Sequence, residues 1–308
     1  MKLMNSSKVK TFLKKIFSLL SVVRGYNILI LIIAQYLASI FIFSSEKSIR
    51  YVFFDLDLLF IILASVCVVA SGYIINNFYD VKVDSINRPI KTTLDNYVRQ
   101  ETKLSLYFVL NFLGFVFGWF VSWKAALFFA VYIFGIWFYS HKLKKYAFTG
   151  LISATVLTIL PFFAVFVYYK NFSKIIFVYA IFLFLVIMVR ELIKDLENIK
   201  GALANNYKTF SVVYGELKTK QLSIFLLVLT LIPEVFLLSY PAIGFMKYYF
   251  YLSFLVLIYV GFYLWKSNQQ SEYTFLHNIL KILLLIGVFS LVFIDPSLLI
   301  EKVIDRLN

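Results

Sequence analysis

The chain has few of the residues that build metal and nucleophile sites in many soluble enzymes. Its 308 residues include 1 Cys, 2 His and only 15% charged residues. A single cysteine, Cys67, excludes a disulfide within the chain. With only His141 and His277 beside it, the chain lacks the ligand set of a zinc cluster, and we interpret both histidines as packing or surface residues. No glycine-rich phosphate loop, serine elbow or Cys/His catalytic pair occurs.

Apolar residues are abundant instead. Hydrophobic residues make up 62% of the chain, and its 35 Phe and 22 Tyr are far more than a soluble domain usually carries. The formal net charge of +14 is spread over loops between apolar runs, so it does not indicate a nucleic-acid-binding domain. The composition therefore predicts an integral membrane protein.

Nine apolar runs are long enough to cross a bilayer, since a spanning helix needs about 20 mainly apolar residues. We predict an all-α polytopic membrane protein whose nine transmembrane helices form one bundle. Very short connections after the third and seventh runs predict antiparallel hairpins. The predicted domains are a basic amphipathic segment at residues 1–20 and the helical bundle at residues 21–300. The predicted spans lie at about 21–43, 58–78, 104–122, 124–140, 148–168, 175–192, 221–240, 244–265 and 275–297.

The distribution of Lys and Arg predicts the orientation in the membrane. One face holds 21 of these residues and the other holds 8, while Lys281 falls within the last span. By the positive-inside rule, the N-terminus is cytoplasmic and the C-terminus is outside. The N-terminal segment combines lysines with apolar residues at helical spacing, which predicts a helix on an anionic membrane surface. A signal peptide is the alternative, but no small-residue cleavage pattern follows the first long apolar stretch.

The stretch "NNFYDVKVDSINRP", residues 76–89, places two carboxylates at the cytoplasmic end of the second span. If the helix continues past Ile75, then Asn76, Asp80 and Asp84 share one face because they are four residues apart. Carboxylates one turn apart repel each other unless a cation lies between them, and Mg²⁺ is typically held by one or two carboxylates plus substrate phosphate oxygens. The pattern predicts half of a Mg²⁺-diphosphate site. A solvated loop at the membrane edge is the alternative.

A second stretch, "VRELIKDLENIKG" at residues 189–201, brings Asp195 to the cytoplasmic end of the sixth span, with Arg190 and Lys194 nearby. Two acidic corners and basic residues on one face can surround a diphosphate, with a metal bridging carboxylate to phosphate and the cations neutralising the remaining charge. The second corner therefore favours the diphosphate site over the solvated loop.

The two stretches resemble the aspartate-rich motifs of the UbiA superfamily of intramembrane prenyltransferases. "SGYIINNFYDVKVDSINRP" is similar to N-D-x-x-D-x-x-x-D, and "RELIKDLENIKGALANNYKTFSVVYG" is similar to K-D-x-x-D-x-x-G-D followed by K-T-x-x-x-x-x-G. The resemblance covers most of the chain and includes "RGYN" at 24–27, "YSHKLK" at 139–144, and Lys208, Thr209 and Gly215. The second motif is most similar in form to the geranylgeranylglyceryl phosphate geranylgeranyltransferases, the digeranylgeranylglyceryl phosphate synthase-like members.

The resemblance implies Mg²⁺-dependent transfer of a prenyl group from an isoprenoid diphosphate, similar to geranylgeranyl diphosphate, to a lipid-soluble acceptor. The acceptor would be a lipid, such as a glyceryl phosphate ether, or an aromatic compound. It further implies membrane lipids as partners, no nucleic acid, and a bacterial or archaeal-type plasma membrane with the active site facing the cytoplasm. The implied catalytic residues are Asp80, Asp84 and Asp195. The implied metal-binding residues are these three with Asn76 and Asn198. The implied diphosphate-binding residues are Arg24, Asn27, Arg88, Lys91, Lys144 and Lys194.

The chain departs from the family pattern at several positions. Asn77 and Asn198 stand where the motifs have aspartates, Ala202 replaces the acid expected after Gly201, and Leu151 replaces a common asparagine. Glu197 points about 200° away from Asp195 on a regular helix and cannot simply substitute, whereas Asn198 shares the face of Asp195 and could supply a neutral oxygen. The second motif is therefore the reduced one.

These departures leave alternatives open. The chain could be an active transferase with weakened metal binding, a transferase with a changed acceptor, or a catalytically degenerate homologue that binds lipid. A membrane transport or lipid-binding protein is the hypothesis from another class. Transporters place polar residues near the bilayer midplane, whereas here the carboxylates cluster at cytoplasmic helix ends, which favours the enzyme.

Overall fold

The computed structural model describes residues 13–44 and 47–296. Within these ranges, nine helices are long and apolar enough to cross a membrane. The predicted all-α membrane fold is therefore confirmed. The α-helices of these nine spans are α1 Gly25–Ala38, α2 Leu56–Asn87, α3 Gln100–Val121, α4 Trp123–His141, α5 Ala147–Tyr169, α6 Lys174–Glu197, α7 Phe210–Leu238, α8 Lys247–Lys266 and α9 Gln270–Ser290. The first span reaches Phe43, because the turn after α1 continues it.

Shorter elements connect the nine helices. A π-helical turn extends α1, and the other connecting elements are short α-helices and 3₁₀ turns. The π-helical turn is Ser39–Phe43, the short α-helices are Ile49–Phe53, Pro89–Asp95 and Ile199–Ala204, and the 3₁₀ turns are Leu143–Lys145, Pro241–Met246 and Leu291–Phe293.

The two helices that carry the acidic stretches lie at the centre of the bundle. In the most apolar part of each helix, 61% of the residues of α2 and 50% of those of α6 are buried, against 17% to 39% in the other seven spans found in the described residues. Helix α2 packs along α3, and α6 packs along α7. The ends of α2 and α6 that carry the acidic stretches therefore have close neighbours that can fix their polar side chains.

Helix α2 runs nine residues beyond the predicted end of its span. The prediction followed apolar residues and stopped at 78, whereas the helix continues through the acidic stretch to Asn87. It ends there because Arg88 precedes Pro89, and the residue before a proline is driven out of the α-helical region. Arg88 has φ −143° and ψ 62° accordingly. The continuation past Ile75, on which the shared face of the acidic residues depended, is confirmed.

Helix α7 begins at Phe210, well before the predicted start at 221. Its backbone is interrupted at Gly215, where φ is 81° and ψ is 170°. Glycine adopts this conformation without the steric cost that a Cβ would bring. Residues 210–214 thus form a separate helical turn beside the second acidic stretch.

Both predicted hairpins are present. Helices α3 and α4 are joined at Ser122, whose hydroxyl accepts a hydrogen bond from the backbone N–H of Ala125 at 3.1 Å and caps α4. Helices α7 and α8 are joined through the 3₁₀ turn Pro241–Met246. Short connections of this kind leave consecutive helices antiparallel and in contact.

The predicted N-terminal segment falls partly outside the described residues. Residues 13–22 are helical. Leu13, Phe17 and Leu20 are exposed on this helix, whereas Ser18 and Val22 are buried against the bundle. An exposed apolar face next to Lys14 and Lys15 agrees with a helix at a membrane surface.

Candidate active site

The first acidic set lines one wall of a cavity at the end of the bundle that carries both acidic stretches. The cavity has a volume of about 470 Å³, and Asn76, Asp80 and Asp84 all border it. They do so because α2 is continuous here and repeats its face every four residues. The carboxylate of Asp84 accepts no hydrogen bond from any residue that the structure describes. It is therefore available to a cation or a ligand.

Lys144 contacts two members of this set. Its ammonium donates to Oδ1 of Asp80 at 2.6 Å and to Oδ1 of Asn76 at 3.1 Å. Lys144 stands in the 3₁₀ turn Leu143–Lys145 between α4 and α5 and is only 8% exposed. A charge-assisted hydrogen bond of this length inside a protein is among the stronger polar contacts. The oxygens of Asn76 and Asp80 are thus already arranged around a positive charge.

Tyr207 approaches the same carboxylate from the loop before α7. The backbone N–H of Lys208 donates to the carbonyl of Lys145 at 2.8 Å, which holds this loop against the turn that carries Lys144. The phenol of Tyr207 then lies 3.5 Å from Oδ1 of Asp80. Burial, followed by the charge of Asp80, raises the pKa of Tyr207 above its ordinary value. The phenol therefore stays protonated and acts as a donor to the carboxylate.

Asp195, the leading aspartate of the second set, borders the cavity and also fixes the start of α7. Its Oδ2 accepts the backbone N–H of Ser211 at 2.8 Å. Ser211 is the second residue of α7, so the carboxylate lies at the positive end of a helix. One oxygen of Asp195 is therefore engaged in joining α6 to α7.

Asn198 lies beside Asp195 on the cavity wall, as the helical spacing predicted. Its side-chain nitrogen donates to the carbonyl of Lys194 at 2.7 Å. The amide group is thereby fixed in orientation, and its oxygen is left as the group that could serve a ligand.

Glu197 does not join the aspartates at the cavity. Its Oε1 accepts from Arg88 at 3.0 Å, and its Oε2 lies 2.8 Å from Nδ1 of His277 on α9. The prediction that Glu197 cannot replace a missing aspartate is confirmed. His277, interpreted from the sequence as packing or surface, is a buried partner of this carboxylate.

Asn87 links the ends of the two acidic stretches. Its side-chain oxygen accepts the backbone N–H of Gly201 at 3.0 Å, and its side-chain nitrogen donates to the carbonyl of Asn198 at 3.3 Å. A Cβ at position 201 would lie 2.3 Å from the Asn87 side-chain nitrogen. Only glycine permits this close approach.

The basic residues predicted to hold diphosphate all border the cavity, but their environments differ. Arg88 is paired with Glu197, Lys194 with Glu191 at 2.7 Å, and Lys144 with Asp80. Arg24 makes no ion pair with a described residue, and its guanidinium lies 5.0 Å from the ring centroid of Tyr73. The side chains that line the cavity include six basic and four acidic residues. The excess of positive charge favours an anionic ligand.

Arg24 and Asn27 approach the cavity from the start of α1. Arg24 has φ 51°, a left-handed conformation that costs a non-glycine residue about 1–2 kcal/mol. Asn27 donates to the hydroxyl of Tyr73 at 3.2 Å. The "RGYN" stretch therefore contacts α2 one turn before the first acidic set.

Beyond its charged end, the cavity continues between apolar side chains. Val69 lies 11 residues before Asp80 on α2, or about 16 Å along the helix at 1.5 Å per residue. Leu31, Leu157 and Pro161 face the same space. A cavity with a charged mouth and an apolar interior is suited to an amphiphile with an anionic head and a hydrocarbon tail.

The carboxylates of this cavity are dispersed. No group of three or more His, Cys, Asp or Glu side chains in the described part of the chain converges on one point. Mg²⁺ does not require such a cluster, because it usually takes one or two carboxylates and completes its shell with phosphate oxygens and water. The side-chain oxygens of Asn76 and Asp80 both point at the Lys144 ammonium. Such oxygens are suitable ligands for a hard cation that enters with a phosphorylated ligand.

Residues 21–290 match the UbiA prenyltransferase family. The chain belongs to the UbiA prenyltransferase family. The family and the enzyme class expected from the two aspartate-rich motifs are thereby confirmed.

Curated UbiA-family relatives are digeranylgeranylglyceryl phosphate synthases. The protein from Saccharolobus solfataricus is 27% identical over 208 residues, which cover 66% of this chain and 71% of the relative. The protein from Methanosphaera stadtmanae is 28% identical over 217 residues, covering 69% and 79%. The protein from Methanobrevibacter smithii is 25% identical over 264 residues, covering 82% and 88%.

Solved UbiA-family structures share the fold. A structure of digeranylgeranylglyceryl phosphate synthase in membranes superimposes with a TM-score of 0.69 at 21% identity, covering 91% of this chain and 98% of that chain. A UbiA homologue from Archaeoglobus fulgidus bound to GPP and Mg²⁺ gives a TM-score of 0.66 at 13% identity, covering 89% and 99%.

Sequence reasoning missed several members of the site. Tyr207 stands in the loop after the second motif, where nothing in the spacing indicated that its phenol returns to Asp80. The partnership of Glu197 with Arg88 depends on the meeting of α2 and α6, which a linear pattern does not contain. Asp95 also escaped notice, although it stands four residues after Lys91, and it holds the Lys91 ammonium at 2.6 Å.

Proposed function

We propose that this UbiA-family protein transfers a prenyl group from an isoprenoid diphosphate to a lipid acceptor that carries a glyceryl phosphate ether. The observation that carries the proposal is the cavity, whose basic excess and carboxylates lie at one end and whose apolar interior extends into the bundle. A donor with a diphosphate head and a hydrocarbon tail matches both ends.

The donor diphosphate would lie between the two acidic stretches. Asn76, Asp80 and Asp84 would hold Mg²⁺ on the α2 side, and Asp195 and Asn198 would do so on the α6 side. When bound, Mg²⁺ supplies positive charge that stabilises the leaving diphosphate. The A. fulgidus homologue with GPP and Mg²⁺ supports this assignment of donor and metal.

The basic side chains stabilise the charge that develops on the leaving group. Arg24 has no acidic partner among the described residues and can bind a phosphate oxygen without breaking an ion pair. Lys91 and Lys144 each keep N–H donors beyond those used by their carboxylate partners, since an ammonium has three. Preorganised charges of this kind act where the negative charge appears in the transition state.

Bond breaking separates the allylic carbon from the bridging oxygen, and both electrons of that bond leave with the diphosphate. The positive charge on the allylic carbon would face Tyr73, Tyr132 and Tyr139, which line the cavity. Aromatic faces attract a cation, and the attraction is larger in a water-poor site. The acceptor hydroxyl then forms a C–O bond with this carbon, and its proton passes to an oxygen of the released diphosphate.

The acceptor class rests on the relatives. The alignments with two digeranylgeranylglyceryl phosphate synthases cover 66% and 69% of this chain. The basic excess of the cavity also suits a second phosphorylated ligand. The second motif has Asn198 and Ala202 in place of acids, so it supplies fewer carboxylates to the site than the first motif does.

We further propose that the site faces the cytoplasm of a bacterial or archaeal-type plasma membrane, with the N-terminus on the same side. The support is the distribution of 21 against 8 basic residues between the two faces. Residues 21–300 would form the prenyltransferase domain, and residues 1–20 would lie at the membrane surface.

A donor-by-acceptor screen tests the proposal. Purified protein in lipid nanodiscs is incubated with Mg²⁺, with diphosphates of C10 to C20 and longer, and with glyceryl phosphate ethers or aromatic acceptors, and products are identified by mass spectrometry. We expect an ether product from a geranylgeranyl-like donor and a glyceryl phosphate acceptor. Asp80→Asn should abolish it, whereas Asp57→Asn, at the exposed opposite end of α2, should not. Product from aromatic acceptors alone, or from no pair, would overturn the proposal.

A further inference from the structure

A buried carboxylate behind the first acidic set joins three parts of the chain. Asp95 ends the short helix Pro89–Asp95 and is 2% exposed. Its Oδ1 accepts from the hydroxyl of Ser21 at 2.7 Å, and its Oδ2 accepts from Asn77 at 3.0 Å and from Lys91 at 2.6 Å. Its backbone carbonyl accepts from the hydroxyl of Ser18 at 3.1 Å.

Asn77 occupies the centre of this group and uses both ends of its amide. Its nitrogen donates to Asp95, while its oxygen accepts from the ammonium of Lys103 at 2.9 Å. Lys103 is fully buried at the start of α3. A carboxylate at position 77 could not donate, and it would place one anion about 3 Å from another, an arrangement that disfavours both charges.

Asn77 itself carries no charge. In this chain the neighbouring carboxylate comes from Asp95, 18 residues later. It is the one acidic group that the described structure places within ion-pair distance of Lys91, and it lies near enough to Lys103 to favour the charged form of that ammonium. Lys91 therefore contacts the Asp95 carboxylate directly, and Lys103 is linked to the same carboxylate through the Asn77 amide.

We propose that Asp95 supplies the negative charge for Lys91 directly and for Lys103 through the Asn77 amide, and that it is a positioning residue which holds the Lys91 ammonium at the cavity. The second half of this proposal rests on the proposed function, since it assigns Lys91 to the donor diphosphate. Lys91 uses one N–H on Asp95 and keeps two for a ligand. Because a lysine side chain is flexible, fixing it beforehand reduces the entropy lost when the diphosphate binds.

Thermal unfolding in detergent, which requires no substrate, tests whether a carboxylate at position 77 can replace the one at position 95. The variants are Asn77→Asp, Asp95→Asn and the double substitution, with Glu101→Gln, an exposed acid of α3, as the matched control. We expect each single substitution to lower the unfolding temperature relative to the control. In the double variant, Asp at position 77 can pair directly with Lys103 and accept from Asn at position 95, so the unfolding temperature should recover by more than half of the summed losses. If the losses in unfolding temperature are additive in the double variant, the proposed role of the Asp95 charge is wrong.

The positioning role is tested by titration calorimetry with inorganic diphosphate and Mg²⁺, which does not require turnover. We expect Asp95→Asn to weaken diphosphate binding about tenfold, the scale of one charge-assisted hydrogen bond. In a Lys91→Gln background, Asp95→Asn should have no further effect. The double variant Asn77→Asp, Asp95→Asn should recover stability but bind diphosphate as weakly as Asp95→Asn, because its carboxylate has moved away from Lys91.

The outcomes separate this proposal from the proposed function. Unchanged diphosphate binding in Asp95→Asn, or an equal loss in the Lys91→Gln background, would overturn the positioning role even if prenyl transfer is observed. Absence of prenyl transfer with normal coupling between Asp95 and Lys91 would overturn the proposed reaction and leave the positioning of Lys91 supported.

Discussion

The ammonium of Lys144 lies 2.6 Å from Oδ1 of Asp80 and 3.1 Å from Oδ1 of Asn76. Both oxygens belong to the set proposed to hold Mg²⁺. An ammonium and a metal ion cannot occupy the same space, so a metal ion that binds these two Oδ1 atoms must displace the Lys144 ammonium from them. The freed ammonium would then lie next to the metal-bound diphosphate, where its charge stabilises the leaving group.

Replacing Lys144 with methionine should separate these two roles. Without the competing ammonium, Mg²⁺ should bind the donor-free protein severalfold more tightly, seen as a lower midpoint for Mg²⁺-dependent thermal stabilisation. The KM for the donor should rise about tenfold, because one charge-assisted contact to the diphosphate is lost. Lys145→Met, in the same turn, is the control. An unchanged Mg²⁺ midpoint together with an unchanged KM would contradict this account of Lys144.

Glu197 should contribute to stability more than an exposed acid does. Its carboxylate joins Arg88 after α2 to His277 on α9, and the substitution Glu197→Gln weakens both contacts. We expect a loss of about 1–3 kcal/mol in the free energy of unfolding, the scale of a polar group that loses charged partners. Denaturant unfolding of Glu197→Gln is compared with Glu101→Gln. Equal free energies of unfolding for the two variants would show that the contacts of Glu197 with Arg88 and His277 do not stabilise the protein.

Gly201 should be sensitive to a single methyl group. In Gly201→Ala the new Cβ would lie 2.3 Å from the Asn87 side-chain nitrogen, so Asn87 must shift and release the backbone N–H of residue 201. Overpacking of this kind costs about 1–3 kcal/mol. The cost should shrink in an Asn87→Ala background, where the colliding side chain is absent. A double-mutant cycle of unfolding free energies measures the difference, and a purely additive pair would refute the direct contact.

The orientation in the membrane can be measured with single cysteines. Cys67 is buried and can be replaced by Ala to give a cysteine-free background. Lys124→Cys and Lys142→Cys then place thiols at the two ends of α4, both at exposed positions. In intact cells, a membrane-impermeant thiol reagent should label position 124 and leave position 142 unlabelled until the cells are lysed. The reverse pattern would place the cavity on the outer face.

Much of the fold could be predicted because lipid imposes a simple pattern on sequence. A spanning helix must be apolar over about 20 residues, so the nine runs marked the nine spans found in the described residues. The ends were less predictable. The polar end of α2 is helical through Asn87, and the turn before Gly215 belongs to α7, because packing and local backbone geometry decide these residues and apolarity does not.

The candidate site was predictable only where its residues lie on one helix. Asn76, Asp80 and Asp84 share a face through the helical repeat alone. The approach of Tyr207 to Asp80 spans 127 positions in the chain, and that of His277 to Glu197 spans 80. Such contacts depend on how helices pack, which single-sequence patterns do not encode.

Asp195→Asn tests most directly whether both acidic stretches bind the same donor diphosphate, although the second stretch has fewer carboxylates. The amide oxygen of the new side chain can still accept the backbone N–H of Ser211, so the junction of α6 and α7 should survive. The measurement is the Mg²⁺-dependent release of diphosphate from geranylgeranyl diphosphate in the presence of a glyceryl phosphate acceptor.

In that measurement, we expect Asp195→Asn to lower kcat about a hundredfold and to raise the Mg²⁺ concentration needed for half-maximal rate, while Asp57→Asn behaves as the unaltered protein. An Asp195→Asn variant with unchanged kcat and unchanged Mg²⁺ dependence would contradict the claim that both acidic stretches form one site.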